Sequence, residues 1–302
     1  MMPDELSDRT TRLLIVDGHA YAYRAFHAIP RLNSPTGEPT HAIYGFIKML
    51  GKLKAFLNPS HGIVVWDGGL AAERMAVLPE YKAQRPPMPE SLEVQIQGIQ
   101  DYLRAAQWAS FQQTGVEADD WIASLARVVV PLVDQVVIAS SDKDFMQLVS
   151  PKVGLVNPHD KIPVIWTAAA VQTRTGVNPE QVVDWLSLIG DNVDNIPGVP
   201  GIGPKNAAKL LQQFGSCSQL LDRLAEVKPE AVQAHLRAAA DVLRRNQELI
   251  RLNAHLPVPI DLGELTLKKG DLHQLRVLFA RWGFHTLLKE LESTAPQQAQ
   301  LL

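Results

Sequence analysis

Leu13-Leu14-Ile15-Val16-Asp17 is an apolar run that stops on a carboxylate, and the pattern returns as Ile63-Val64-Val65-Trp66-Asp67 and as Val136-Val137-Ile138-Ala139-Ser140-Ser141-Asp142. Short unbroken runs rich in β-branched residues read as strands buried on both faces. Between them lie helical patterns, over Ile43 to Leu57, Leu92 to Ala106 and Ala118 to Val130, so the order is strand, helix, strand, helix, strand. That order predicts an α/β fold with a central, mostly parallel sheet and helices on both faces. Val153-Gly154-Leu155-Val156 offers a fourth strand. Ligands of open sheets bind beyond the carboxyl ends of the strands, so the three terminal aspartates are expected to converge on one rim.

From Ala168 onward the chain reads as helical, with a helix over Pro179 to Ile189 that ends at Gly190 and leads into a loop over Asp191 to Pro204. This divides the chain into an α/β core over residues 1–178, a helical region over 179–292, and a soft tail over 293–302 with little to bury. Apolar residues make up 46% and charged residues 20%, which excludes a disordered or fibrous chain. No uncharged apolar run is long enough to span a bilayer and the first residues lack an apolar signal core, so the protein is expected to be cytoplasmic, with no membrane partner. The single cysteine, Cys217, excludes an internal disulfide and a cysteine-based zinc site.

Nine carboxylates stand out: Asp17, Asp67, Glu117, Asp119, Asp120, Asp142, Asp144, Asp191 and Asp194. Taken singly, each has a plain structural reading, as a turn residue after a strand or an acid favoured at a helix start. Gathered on one rim, they would repel one another strongly unless cations neutralised them. Oxygen ligands without a cysteine or histidine cluster select Mg²⁺ or Mn²⁺ over zinc. Two such ions about 4 Å apart activate water for in-line phosphodiester displacement, which makes metal-assisted hydrolysis the leading chemistry. Residues 1–199 carry a net −6 and residues 200–302 a net +3, and neutralising the nine acids turns the overall −3 into +6. Affinity for a polyanion is therefore expected to depend on metal.

Two further segments fit a nucleic-acid partner. In Gly198-Val199-Pro200-Gly201-Ile202-Gly203-Pro204-Lys205, followed by a helix carrying Lys209, a tight glycine turn precedes a helix start where backbone N–H groups hold phosphate. Such an element grips the backbone without reading bases. Between the second strand and the next clear helix, Arg74, Tyr81, Lys82 and Arg85 are set among prolines, a mixture suited to phosphate pairing and base stacking. Lys82 or Arg85 is also placed to stabilise charge on a phosphate in the transition state. Tyr23 and Arg24, just past the first strand, fall near the same rim, as does His19, while Tyr21 and Phe26 read as core.

Together these motifs resemble the 5′-nuclease family, which comprises the 5′-to-3′ exonuclease domain of bacterial DNA polymerase I and the stand-alone flap endonucleases. The resemblance runs from Arg12 to Leu291 and rests on VDGHAYAYRAFHA at 16–28, YGF at 44–46, WDG at 66–68, YKAQR at 81–85, EADDWIASLA at 117–126, SDKDFMQL at 141–148, GDNVDNIPGVPGIGPKNAAKLL at 190–211 and FGS at 214–216. It implies a PIN-like core with a helical arch over about 70–97, then a helix-hairpin-helix (helix-three-turn-helix) region over about 190–216. By resemblance, Asp17, Asp67, Glu117 and Asp119 serve one metal site and Asp142, Asp144 and Asp191 the other, with Asp120 and Asp194 in supporting roles. Lys82 and Arg85 match arch residues near the scissile phosphate, and Arg74 an arch residue on substrate phosphate. Tyr23 and Arg24 match positions beside the cut, and Gly198 to Lys205 the turn that grips the unbroken strand and in relatives can hold K⁺.

The implied activity is structure-selective 5′-to-3′ exonuclease and 5′-flap endonuclease action in DNA replication and repair, with 5′-phosphate products. The implied partners are DNA with 5′ flaps, nicks or 5′ ends and a DNA polymerase, with RNA-primed 5′ strands left open; a monomer near the nucleoid is expected. Two departures, Gly69 where a lysine is frequent and Glu73 where an aromatic is common, weaken the positive and stacking character of the arch entrance. No polymerase motif fits the remaining length, so the chain is expected to be a nuclease alone, stand-alone or the front of a polymerase. The alternatives are a catalytically silent junction-binding protein and a PIN-type ribonuclease. The full acidic set opposes the first, and the glycine hairpin and arch-like stretch oppose the second.

Overall fold

The apolar runs that end on aspartates become the central strands of one parallel sheet. A computed structural model describes residues 10–294. Its strands are β1 (Arg12–Asp17), β2 (His61–Trp66), β3 (Ala109–Gln112), β4 (Gln135–Ala139) and β5 (Val153–Val156), in the spatial order β3-β2-β1-β4-β5 with every pairing parallel. Alternate residues face opposite sides, and both sides are dry: Leu13, Ile15, Ile63 and Ile138 enter one apolar cluster, and Leu14, Val16, Val64 and Val137 the other. That double burial is why these strands read as unbroken apolar runs rather than as alternating ones. β3 escaped the sequence reading because it is a four-residue edge strand, Ala-Ser-Phe-Gln, that is half-buried at best.

Helices cover both faces. Gly18–Ala28, His41–Leu57 and Glu90–Ala105 pack on the Leu14 side, where Leu275, Phe279 and Trp282 of the later helix Leu272–Trp282 join them. Ala118–Val129 packs on the Leu13 side together with the helices Val182–Ile189, Pro204–Phe214 and Ala240–Ile250. Neither cluster stops where the α/β part ends; residues from both halves of the chain build each one.

The connection expected to form a helical arch is compact. It holds a six-residue helix, Ala72–Val77, then turns over residues 79–84 and an extended stretch before the helix Glu90–Ala105. The loop after Gly190 forms a small antiparallel hairpin of β6 (Gly190–Asp191) and β7 (Ile196–Pro197). The proposed tail falls, from residue 295 on, outside the described residues. Among the described residues no helix is long and apolar enough to cross a membrane.

Candidate active site

β1, β2 and β3 run outward in one direction from the middle of the sheet, while β4 and β5 lie on the other side of β1. The chain therefore reverses its winding between β1 and β4, which opens a crevice at their carboxyl ends. The carboxylates gather at that crevice. Asp17 ends β1, and its side chain caps the helix Gly18–Ala28 by accepting from the Ala20 N–H at 3.0 Å. Ser140, one residue past β4, donates to the other Asp17 oxygen at 2.7 Å and so ties the two strand ends together.

A cavity of about 560 Å³ is lined by Asp17, Asp67, Asp119, Asp142, Asp191 and Asp194. Tyr23, Lys82 and Arg85 share its wall with His19, which the sequence places near the rim, and with two residues that sequence reasoning left out, Ser141 and Lys143. His19 accepts the Asp67 N–H on Nδ1 at 3.1 Å, and burial holds its pKa below the usual histidine value. Lys143 Nζ stands 3.3 Å from Asp191 Oδ2; its signal was its position between Asp142 and Asp144.

The acids pay an electrostatic cost for this convergence. Burial, followed by Asp142 and Asp67, pushes Asp17 up to about 6. Burial and neighbouring carboxylates raise Asp142 as well, and lift Asp119 and Asp144 well above the ordinary aspartate value. Asp144 Oδ1 is buried without a hydrogen-bond partner. An oxygen-only set under mutual repulsion, with a buried acceptor left unsatisfied, fits a hard divalent cation. Among the described residues no three such side chains already enclose an ion. Mg²⁺ does not require that, since it is usually held by one or two carboxylates with water in its remaining positions.

Glu117 is occupied by neighbours on its own side of the cavity. It accepts from Lys82 Nζ at 2.6 Å and from the Ala71 N–H at 3.1 Å, with Arg74 Nη1 at 3.3 Å. Burial works against the charges of both Lys82 and Glu117, yet the pair more than offsets it: Lys82 is raised and Glu117 lowered. Lys82 adopts a left-handed backbone with φ of 56°, and its N–H donates to the Asp194 carbonyl at 3.0 Å. Arg85 reaches Asp194 Oδ1 at 2.5 Å. Asp194, in the turn between β6 and β7, therefore anchors Lys82 through its backbone and Arg85 through its guanidinium.

Three expectations are corrected. Arg74 does not face a substrate: it is 8% exposed, forks onto Asp120 at 2.7 and 2.8 Å, and donates Nε to the Leu249 carbonyl. Asp120, engaged by Arg74, consequently does not line the cavity beside Asp119. Consecutive helical residues project about 100° apart, so Asp119 and Asp120 point in different directions. Tyr81 is not a stacking platform; it is buried, with its hydroxyl 3.2 Å from Glu117 Oε2 and 3.3 Å from Asp194 Oδ2.

The glycine hairpin does not line the cavity, and Lys205 and Lys209 are exposed on its helix. Gly201 has φ of +79°, whereas a Cβ on Gly203 would meet nothing within 4 Å. Gly198 has a packing role: a Cβ there would stand 2.3 Å from the Ile189 carbonyl carbon and 2.7 Å from Gly190 N. Gly198→Ala is therefore expected to force β6 and β7 apart, to cost about 1–3 kcal/mol in thermal unfolding, and to lower activity by displacing Asp191. An unchanged melting temperature would show that the hairpin tolerates the spread. Arg24 makes a 3.4 Å contact to the Pro158 carbonyl.

Comparison with known proteins gives this arrangement a family. The model of the 5′-3′ exonuclease N-terminal resolvase-like domain matches residues 12–176, and that of the 5′-3′ exonuclease C-terminal SAM fold matches residues 177–273. The chain belongs to the 5′-3′ exonuclease family. Its sequence is 36% identical to a 5′-3′ exonuclease of Aquifex aeolicus, over 95% of this chain and 98% of that protein. It is also 36% identical to DNA polymerase I of Bacillus caldotenax and 38% identical to thermostable DNA polymerase I of Thermus thermophilus, over 96% and 94% of this chain. The chain spans about a third of the length of these polymerases. The exonuclease fold recurs in T5 5′-exonuclease with zinc bound, at 24% identity and a TM-score of 0.68 over 93% of this chain and 98% of that one. The catalytic core of Rad2 in complex with DNA substrate shares it at 17% identity and a TM-score of 0.62, over 93% and 92%.

Proposed function

We propose that the chain is a divalent-metal-dependent, structure-selective 5′ nuclease that cuts DNA flaps, nicks and 5′ ends, leaves 5′-phosphates, and serves primer removal and repair. The observation that carries this reading is the single cavity in which six carboxylates face Lys82 and Arg85. Asp17, Asp67 and Asp119 would hold one ion and Asp142, Asp144 and Asp191 a second, with Mg²⁺ or Mn²⁺ as the ions. When bound, the pair supplies an activated water and charge neutralisation at the leaving oxygen.

The remaining work falls to the chain itself. Lys82 and Arg85 would exchange their carboxylate partners for the phosphate that enters the cavity and stabilise its growing charge. Glu117 and Asp194 would keep those two cations aimed inward until then. Tyr23 and Arg24 would flank the cut, and the Gly198–Lys205 turn would hold the intact strand, with K⁺ as its candidate ion. Lys205→Ala is expected to weaken duplex binding without moving the cut and to reduce the slope of log K against log salt by about 1. An unchanged slope would remove Lys205 from the phosphate contacts.

The whole reading is tested by incubating a labelled 5′-flap duplex and a matched single strand with the protein, each in Mg²⁺ and in EDTA. Metal-dependent cutting at the flap junction is expected. Tight flap binding without cutting in either Mg²⁺ or Mn²⁺ would replace it with a junction-binding role.

A further inference from the structure

A second cavity, of about 530 Å³, lies at the other end of the sheet. Ser60, which precedes β2, lines it, whereas Asp67, which follows β2, lines the acidic cavity. The six residues of β2, at about 3.3 Å each, separate the two by roughly 20 Å. The chemistry is inverted as well: this cavity presents Lys54, Lys268 and Lys269 and no carboxylate among its lining residues. Among the described residues, none of the three ammonium groups has a carboxylate within 4 Å.

The lysines are held in place by backbone anchors rather than left on a free loop. Leu267 N–H donates to the Ser60 carbonyl at 3.0 Å and Asp271 N–H to the Ala105 carbonyl at 2.8 Å, so Lys268-Lys269-Gly270 is strapped across the gap between β2 and the helix Glu90–Ala105. Gly270 permits the strap to lie flat, since a Cβ there would stand 3.1 Å from Ala106 Cα and 3.2 Å from the Ala105 carbonyl oxygen. Lys54 comes from a third element, the helix His41–Leu57. Apart from Ser60, the rest of the wall is apolar or aromatic, with Leu50, Trp108 and Leu275 nearly buried and Tyr102 half-buried.

We propose that this three-lysine cavity is a binding site for a free nucleotide, which would place its phosphates among Lys54, Lys268 and Lys269 and its nucleoside against Tyr102. A concave surface with charge of one sign over an apolar wall focuses its field on an anion. The volume falls in the range of sites that enclose small ligands, and the pairing of a cationic ring with an apolar wall suits a phosphate joined to a flat heterocycle better than phosphate alone. The assignment is independent of the nuclease reading.

Isothermal titration calorimetry on the full chain tests it, with ADP, pyrophosphate and a short unphosphorylated single strand as probes. EDTA in the buffer prevents metal from bridging phosphate to the acidic cavity. ADP is expected to bind more tightly than pyrophosphate. The Lys268→Ala, Lys269→Ala double variant is expected to weaken ADP about tenfold or more, and Lys54→Ala, on a separate helix, to weaken it too. Flap cleavage by all variants should match the parent. Absence of ADP binding at millimolar concentration, or equal binding by parent and variants, would overturn the proposal. Binding of the single strand through these lysines without binding of ADP, or loss of flap cleavage in the variants, would also overturn it and assign the cavity to the path of DNA.

Discussion

Asp119→Asn is expected to raise the stability of the protein in EDTA while removing its cleavage. Asp119 is half-buried in the cavity wall, and desolvation together with Asp142 and Asp17 disfavours its charge. Asparagine keeps the shape and removes the repulsion, the kind of relief that contributes about 0.5–2 kcal/mol when a strained functional site is relaxed. At roughly 2–4 °C per kcal/mol for a protein somewhat smaller than this, the melting temperature in EDTA should rise by a few degrees. Cleavage should fall by about a hundredfold or more, since even outer partners of metal ligands are worth 10–100-fold. The gain in melting temperature on adding Mg²⁺ should shrink in the variant. If the variant melts no higher in EDTA and cuts at the parental rate, Asp119 is neither under electrostatic load nor part of the machinery.

The second large effect concerns stability alone. Arg74→Ala should cost about 3–5 kcal/mol in urea unfolding, because it leaves the Asp120 carboxylate buried without its counter-ion. The pair joins the helix Ala72–Val77 to the helix Ala118–Val129, and the Leu249 carbonyl adds a third element through the Arg74 Nε. Substituting both members, Arg74→Met with Asp120→Leu, should cost much less than the sum of the single changes, since no charge is stranded. Equal costs for the single and double variants would mean that other groups, the Asn253 N–H that donates to Asp120 among them, sustain the carboxylate without Arg74.

These two neighbours, Asp119 and Asp120, also mark how far the sequence could be read. The strands were legible because burial on both faces leaves no polar residue in Leu13–Val16 or Ile63–Trp66, and the rim was legible because each run ends on an acid. Helical geometry alone required that Asp119 and Asp120 diverge. Which one faces the cavity depends on where Arg74 lands, and Arg74 lies 46 residues away from Asp120 in the chain. An arginine in a basic, proline-rich connection has the same local signature whether it meets a phosphate or a buried carboxylate. The left-handed turn at Lys82 and the grip of Asp194 on the loop are likewise products of tertiary contact. The short edge strand β3 carries too few apolar residues to announce itself.

The apolar clusters on both faces of the sheet draw residues from either side of the point, between 176 and 177, at which the two family models meet. A chain cut there would leave Val182, Leu186 and Leu211 without Trp121 and Ile138, and Phe279 and Trp282 without Leu14 and Phe46. Neither piece could shed that surface from water by itself. The two halves are therefore expected to fold only as one unit. Both kinds of relative match the chain undivided: it spans 98% of the Aquifex exonuclease and 33% of the Bacillus caldotenax polymerase.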